Sequence, residues 1–175
     1  MLSIPTEESI TVEWFNACFA KAGLTGEVNG FDAARVGTGQ IGKCVRYTLR
    51  FADQGELPKS VIGKFPSDDE NSRQTGVVLL NFLKEVKFYQ ELQQRVAIKT
   101  PRCYFSEITD QGPEFFLLLQ DLAPAQQGDQ LAGCSPQVAK AALAELVGLQ
   151  APAWCDATLH DLKWLRDAEA AALVN

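Results

Sequence analysis

At 175 residues the chain is long enough for one domain with a real core, or for part of a two-lobed enzyme. Apolar residues make up 46% and charged residues 22%, the balance of a folded globular protein, which excludes disordered and fibrous classes. Lys plus Arg number 16 against 22 Asp plus Glu, and a net charge of −6 repels phosphate backbones, so no nucleic acid partner is expected.

The first residues, Met1-Leu2-Ser3-Ile4-Pro5-Thr6-Glu7-Glu8, carry neither a basic nor an apolar signal region. The longest unbroken apolar run, residues 115–119, is far short of the about 20 needed to span a bilayer. A cytoplasmic chain with no membrane partner is expected. Cys18, Cys44, Cys103, Cys134 and Cys155 are odd in number and never form Cys-x-x-Cys, which points to reduced, mostly buried thiols. His160 is the only histidine, so His-rich metal sites are excluded.

Thr11 stands as an N-cap before Trp14, Phe15, Cys18, Phe19 and Ala22 at helical spacing, with Gly23 as the stop. Residues 28–36 are strand-like. Residues 43–51 alternate, with Val45, Tyr47, Leu49 and Phe51 on one face and Cys44, Arg46, Thr48 and Arg50 on the other. After the turn Asp53-Gln54-Gly55-Glu56, residues 59–65 make a third strand, followed by a polar loop over 66–71. Residues 73–95 read as one long helix with Val78, Phe82, Tyr89 and Leu92 on a stripe, Gly76 weakening only its first turn. Strands at 102–108 and 114–119 flank Thr109-Asp110-Gln111-Gly112-Pro113 as a hairpin. The order β-β-β-α-β-β predicts an α+β layer with a five-stranded, mainly antiparallel sheet. Residues 123–133 lack periodicity and read as a linker. Ser135-Pro136 starts a helix with Val138, Ala142, Leu146 and Leu149 in register, and a last helical stretch is expected over 158–174.

Four features carry chemistry. Gly37-Thr38-Gly39-Gln40-Ile41-Gly42 fits Gly-x-Gly-x-x-Gly, shared by Rossmann dinucleotide sites and by glycine loops between strands. The period-two residues that follow favour strand-loop-strand, where backbone N–H groups fold over a triphosphate; an ordinary β-turn is the plain alternative. Lys64 closes an apolar strand on the face of Ser60 and Ile62, so its ammonium either snorkels to water or meets an anion. Glu85 lies between Phe82 and Tyr89 on the apolar stripe and needs a partner too; Lys64 is one, a surface cation is another. Finally, Phe115-Phe116-Leu117-Leu118-Leu119 runs into Gln120-Asp121-Leu122. There, backbone groups freed at a strand end would read a base edge, though an ordinary edge strand looks similar.

Taken together, the glycine loop, Lys64 in Val-Ile-Gly-Lys-Phe-Pro, Glu85 in Glu-Val-Lys-Phe-Tyr-Gln-Glu-Leu and Leu-Leu-Leu-Gln-Asp-Leu resemble the aminoglycoside/choline phosphotransferase family, including its ecdysteroid-kinase-like members. The stretches 143–149 and 154–165 look like the start of that family's second lobe. The resemblance implies a protein-kinase-like N-lobe over residues 1–120, a hinge at 121–134 and the first helices of a truncated C-lobe at 135–175. It implies ATP as cofactor, bound through Gly37, Thr38, Gly39, Gln40, Ile41, Gly42, Lys64, Glu85, Gln120, Asp121 and Leu122, and a small hydroxylated acceptor as partner.

The sequence departs from the family in two places. Gln120 stands where many members carry Glu, and the His-Gly-Asp followed by Asn of the catalytic loop is missing, as is the later metal-binding Asp. His160-Asp161 lacks the glycine and reads as a solvated helix position. Phosphoryl transfer needs a group to position the nucleophile and carboxylates for magnesium, so no catalytic residue is assigned and magnesium is expected only with the missing lobe. The chain alone is expected to be inactive. It is also expected to self-associate through helices that expose apolar faces. A free-standing binding module and a Rossmann oxidoreductase are the rival readings; the latter requires a helix directly after Gly42.

Overall fold

A computed structural model describes residues 2–37, 39, 41–129 and 131–166. The architecture is mixed α+β. Strands β1 (Glu27–Val36), β2 (Gly42–Asp53), β3 (Ser60–Pro66), β4 (Cys103–Ile108) and β5 (Phe115–Gln120) form a five-stranded sheet in the order β1-β2-β3-β5-β4. Every neighbouring pair is antiparallel.

One face is covered by α1 (Val12–Lys21), whose cap is the Thr11 hydroxyl accepting the Trp14 N–H at 3.2 Å. The helix buries Trp14, Phe15, Cys18 and Phe19 against Val45, Tyr47 and Leu49 of β2, Val61 and Phe65 of β3, and Phe116 and Leu118 of β5. Each such large side chain contributes roughly 1.5–3 kcal/mol when fully buried. The aromatic rings meet mostly edge to face, Trp14 and Phe116 at 5.5 Å among them. Gly63 is required in this layer: a Cβ there would lie 2.8 Å from the Tyr47 ring and 3.0 Å from that of Phe116. Asn16 ties α1 to the sheet edge, donating to the Val28 carbonyl at 3.0 Å and accepting from its N–H at 2.8 Å.

The opposite face carries Leu117 and Leu119 of β5, packed with Phe115 under Phe82 and Val86 of the middle helical segment. Strand β5 is therefore covered on both sides, which is why its sequence is a continuous apolar run and does not alternate.

The middle segment corrects the expectation of one long helix over 73–95. The chain forms α2 (Glu70–Val78), then α3 (Asn81–Lys87), a wide π turn at Phe88–Leu92 and a 3-10 turn at Gln93–Arg95. The start lies at Glu70 because Asp69 caps the Ser72 N–H at 2.8 Å, inside what reads as a polar loop. The break comes at Leu80, which is buried in the left-handed region at φ 56°. Phe82 accounts for it: its ring fills the space left by the missing side chain of Gly76, and a straight helix would carry it away from that gap. Val78, placed on the apolar stripe by its spacing, is instead exposed.

Between β5 and α4 (Pro136–Ala153) the described residues form no helix or strand. Ser135 caps α4 by accepting from the Val138 N–H at 3.3 Å. The helix buries none of its residues and touches the rest through the Ala97 N–H to Gly148 carbonyl bond, 2.8 Å, and the Lys99–Glu145 ion pair, 2.8 Å. Of the single helix expected over 158–174, the described part, 158–166, is not one helix. A 3-10 turn, Ala157–Asp161, is followed by α5 (Lys163–Arg166), and 167–175 lie outside the described residues. Arg95 holds Asp156 at 2.7 Å and bonds Thr158, which favours the tight turn. His160 and Asp161 are exposed there. No helix among the described residues is long and apolar enough to cross a membrane.

Candidate functional site

The strand alternation that buries Val45, Tyr47, Val61 and Phe65 under α1 turns Cys44, Arg46, Ile62 and Lys64 to the other face. There β2 and β3 set Cys44 opposite Lys64 and Arg46 opposite Ile62. The third-strand lysine meets the helix carboxylate on this face: Lys64 Nζ lies 2.7 Å from Glu85 Oε1 and 2.6 Å from Oε2. Glu85 sits in α3 between the buried Phe82 and Val86, and their packing on β5 aims it at the sheet. Sequence spacing suggests a buried pair, but the side chains remain 27% and 30% exposed. The pair is therefore half-buried and open to a ligand.

The glycine loop spans the β1–β2 connection, antiparallel strands flanking it as the alternation predicts. Gly37 takes φ 74°, a conformation that favours glycine. A Cβ on Gly39 would stand 2.3 Å from the Gly42 carbonyl, so the backbone folds on itself more closely than any side chain allows. Gly42 opens β2, and Ile41 accepts from the Ser67 N–H at 3.2 Å and packs beside Phe82 and Val86. Thr38 and Gln40 lie outside the described residues.

A cavity of about 400 Å³ opens beside the loop, walled by Val36, Gly37, Cys44, Arg46, Ile62, the β5 end Leu119-Gln120 and the linker residues 121–123, 125 and 127. Its walls combine aliphatic side chains with Cys44, Arg46, Gln120 and Asp121, and its size falls in the range of small-molecule sites. All three residues expected at the hinge line it, in different ways. Leu122 is exposed to it. Gln120 is paired back to the edge strand: its N–H donates to the Arg102 carbonyl at 2.8 Å and its amide oxygen accepts from the Arg102 N–H at 3.2 Å.

Asp121 has no carboxylate lone pair to spare. Arg46 grips it through Nε at 2.6 Å and an Nη at 3.2 Å, the Ser60 hydroxyl donates at 2.8 Å, and the Ala123 N–H at 3.0 Å. Burial opposes the charge, but these donors prevail and hold the Asp121 carboxyl below the usual carboxylate range. Arg46 and Ser60 were not expected at the site. Both lie on the face of Lys64, and their alternation in β2 and β3 is the signal that could have found them.

Cys44 completes the wall next to Lys64; burial raises its thiol pKa, with the Lys64 charge opposing, so it is a poor nucleophile. Among the thiols, Cys18 is buried and pushed up to about 12 by desolvation, while Cys134 and Cys155 are exposed, contrary to the expectation of mostly buried cysteines.

A second recess, about 440 Å³, lies between the N-terminal arm and the end of β3, lined by Glu7, Lys43, Asp68 and Arg73 among others. Its cations are already committed. Lys43 is 2.7 Å from Glu7 and 2.6 Å from Asp68, and Arg73 donates to the carbonyls of Ser67 and Asp68. The smaller cavity lies beside the glycine loop, on the sheet face that carries the Lys64–Glu85 pair. Among the described residues, no group of three or more His, Cys, Asp or Glu side chains converges to hold a metal ion. No protein-family model matches the chain, and no curated protein matches it.

Proposed function

We propose that the chain is the nucleotide-binding lobe of a small-molecule O-phosphotransferase resembling the aminoglycoside/choline kinases, with a protein-kinase-like N-lobe over residues 1–120. The observation that carries the reading is the Lys64–Glu85 pair, formed on the sheet face that also bears the cavity and the end of the glycine loop. A lysine held by a helix carboxylate is pre-aimed and loses little freedom on meeting a phosphate. The glycine loop offers backbone donors for the same anion, while Val36, Ile62, Leu119 and Leu122 offer aliphatic cover for a base. ATP is therefore the ligand of choice, and residues 121–134 serve as the hinge. The Rossmann alternative loses its requirement, because Gly42 opens strand β2 where a helix is needed.

The sequence holds no His-Gly-Asp, so the chain binds nucleotide without transferring phosphate to an acceptor by itself. A binding module that never catalyses shares this property; a small hydroxylated acceptor distinguishes the two only where the catalytic residues are supplied. Calorimetric titration with ATP tests the reading. Lys64→Ala is expected to weaken binding by about tenfold or more, and Glu85→Gln by less, because the lysine keeps its charge but loses its aim. Equal affinity of the Lys64→Ala variant and the unaltered protein would remove the proposal.

A further inference from the structure

One wall of the cavity is ionic. The Asp121 carboxylate, its side chain only 5% exposed, gathers donors from three separate segments: Arg46 of β2, Ser60 of β3 and the Ala123 N–H of the linker. The side-on, two-point bond from the Arg46 guanidinium fixes the orientation of the carboxylate plane as well as its position. Through the Ala123 N–H, that carboxylate then fixes the first turn of the linker. The turn is closed by the Ala125 N–H donating to the Leu122 carbonyl at 2.9 Å. Leu122, Ala123 and Ala125 all line the cavity, so the position of this wall depends on one ion pair 75 residues apart in sequence.

Arg46 stands apart from Lys64 along the shared sheet face. Its register partner is Ile62, whereas Lys64 lies opposite Cys44. Two residues along a strand displace Arg46 by roughly 7 Å from that position. Its guanidinium is bonded to Asp121 at the exit of β5 through Nε and one Nη.

Resting on the nucleotide reading above, we propose that Arg46 is a positioning residue for the nucleoside half of the ligand: through Asp121 it holds linker residues 122–125 against the base and takes no part in binding phosphate. A plain structural staple would also use these contacts, but it would make no distinction between the two ends of a nucleotide.

Calorimetric titrations with adenosine, ATP and inorganic triphosphate separate the two. Arg46→Met keeps length and loses the donors. It is expected to weaken adenosine and ATP by a common factor of about tenfold and to leave triphosphate unchanged. Ser60→Ala, which removes one donor and keeps the ion pair, should show the same pattern with a smaller loss, and serves if Arg46→Met fails to fold. A parallel fall in triphosphate affinity, or unchanged adenosine affinity in both variants, would overturn the proposal. An unaltered protein that binds neither ATP nor adenosine would overturn the nucleotide reading itself, a result distinct from a variant that binds like its parent.

Discussion

At Tyr47 a core residue carries a cost. Its ring is wedged between Phe15 and Phe31, with centroids at 5.3 and 5.6 Å, yet its buried hydroxyl has no hydrogen-bond partner among the described residues. An unsatisfied buried hydroxyl costs on the order of 1–3 kcal/mol, more than an average hydrogen bond contributes. Tyr47→Phe is therefore expected to leave stability unchanged or raise it, as read by urea denaturation; a loss above about 1 kcal/mol would reveal an interaction the contacts miss. Asp121 behaves in the opposite sense. Its folded pKa is depressed below the unfolded value of about 3.9, so the stabilisation is fully present above that pH and is lost as pH falls through the still lower folded value. Asp121→Asn should cost about 1–3 kcal/mol near neutrality. Measured by denaturation across pH, the gap from the parent should narrow below about pH 3.9; a gap that widens in acid would contradict the assignment.

Among the elements, the junction of α2 and α3 decides where Glu85 points. An Ala for Gly change in a helix ordinarily adds about 1 kcal/mol of stability. At Gly76 the added Cβ would sit 2.3 Å from the Phe82 ring, which cannot withdraw because it stacks on Phe115 at 4.5 Å and is itself buried. Overpacking of this kind costs about 1–3 kcal/mol, so Gly76→Ala should destabilise on balance in urea; a stabilised variant would show that the junction relaxes freely. The same junction shows why legibility stopped where it did. Helical period alone places Val78 and Phe82 on one stripe, and nothing local announces that Leu80 reverses the backbone between them. Lys64 and Glu85 were readable because one puts a charge at the end of an apolar strand and the other on the apolar stripe of a helix, a conflict that a partner resolves. Arg46 sits on what alternation marks as the polar face of β2, so its tie to Asp121 raised no conflict and stayed invisible. The strands were legible because alternation, or in β5 a continuous apolar run, agrees with the turn residues, and α1 because its apolar spacing follows a Thr cap. The C-terminal helices were read less well: apolar spacing over 158–174 carries no sign of the Asp156 cap and Arg95 bridge that tighten residues 157–161.

For the molecule as a whole, the sheet with α1 and α3 forms the packed part, while α4 leaves Val138, Leu143 and Val147 between 57% and 65% exposed. Leu143 and Val147, one helical turn apart, share a face, and exposed apolar surface of this kind promotes self-association. Sedimentation velocity is expected to show concentration-dependent growth of the purified chain, reduced in Leu143→Glu; a monomer at all concentrations would contradict this. The nucleotide reading is also a claim about the whole molecule, because it joins β1, β2, β3, α3 and the linker into one site. The most direct measurement is the backbone amide NMR spectrum of the chain titrated with ATP. The account predicts shifts concentrated at 36–46, at 62–64 and at 119–125, the walls of the cavity and the strand end carrying Lys64. Shifts confined to the recess near Glu7, Lys43 and Arg73, or no shifts at millimolar ATP, would contradict it.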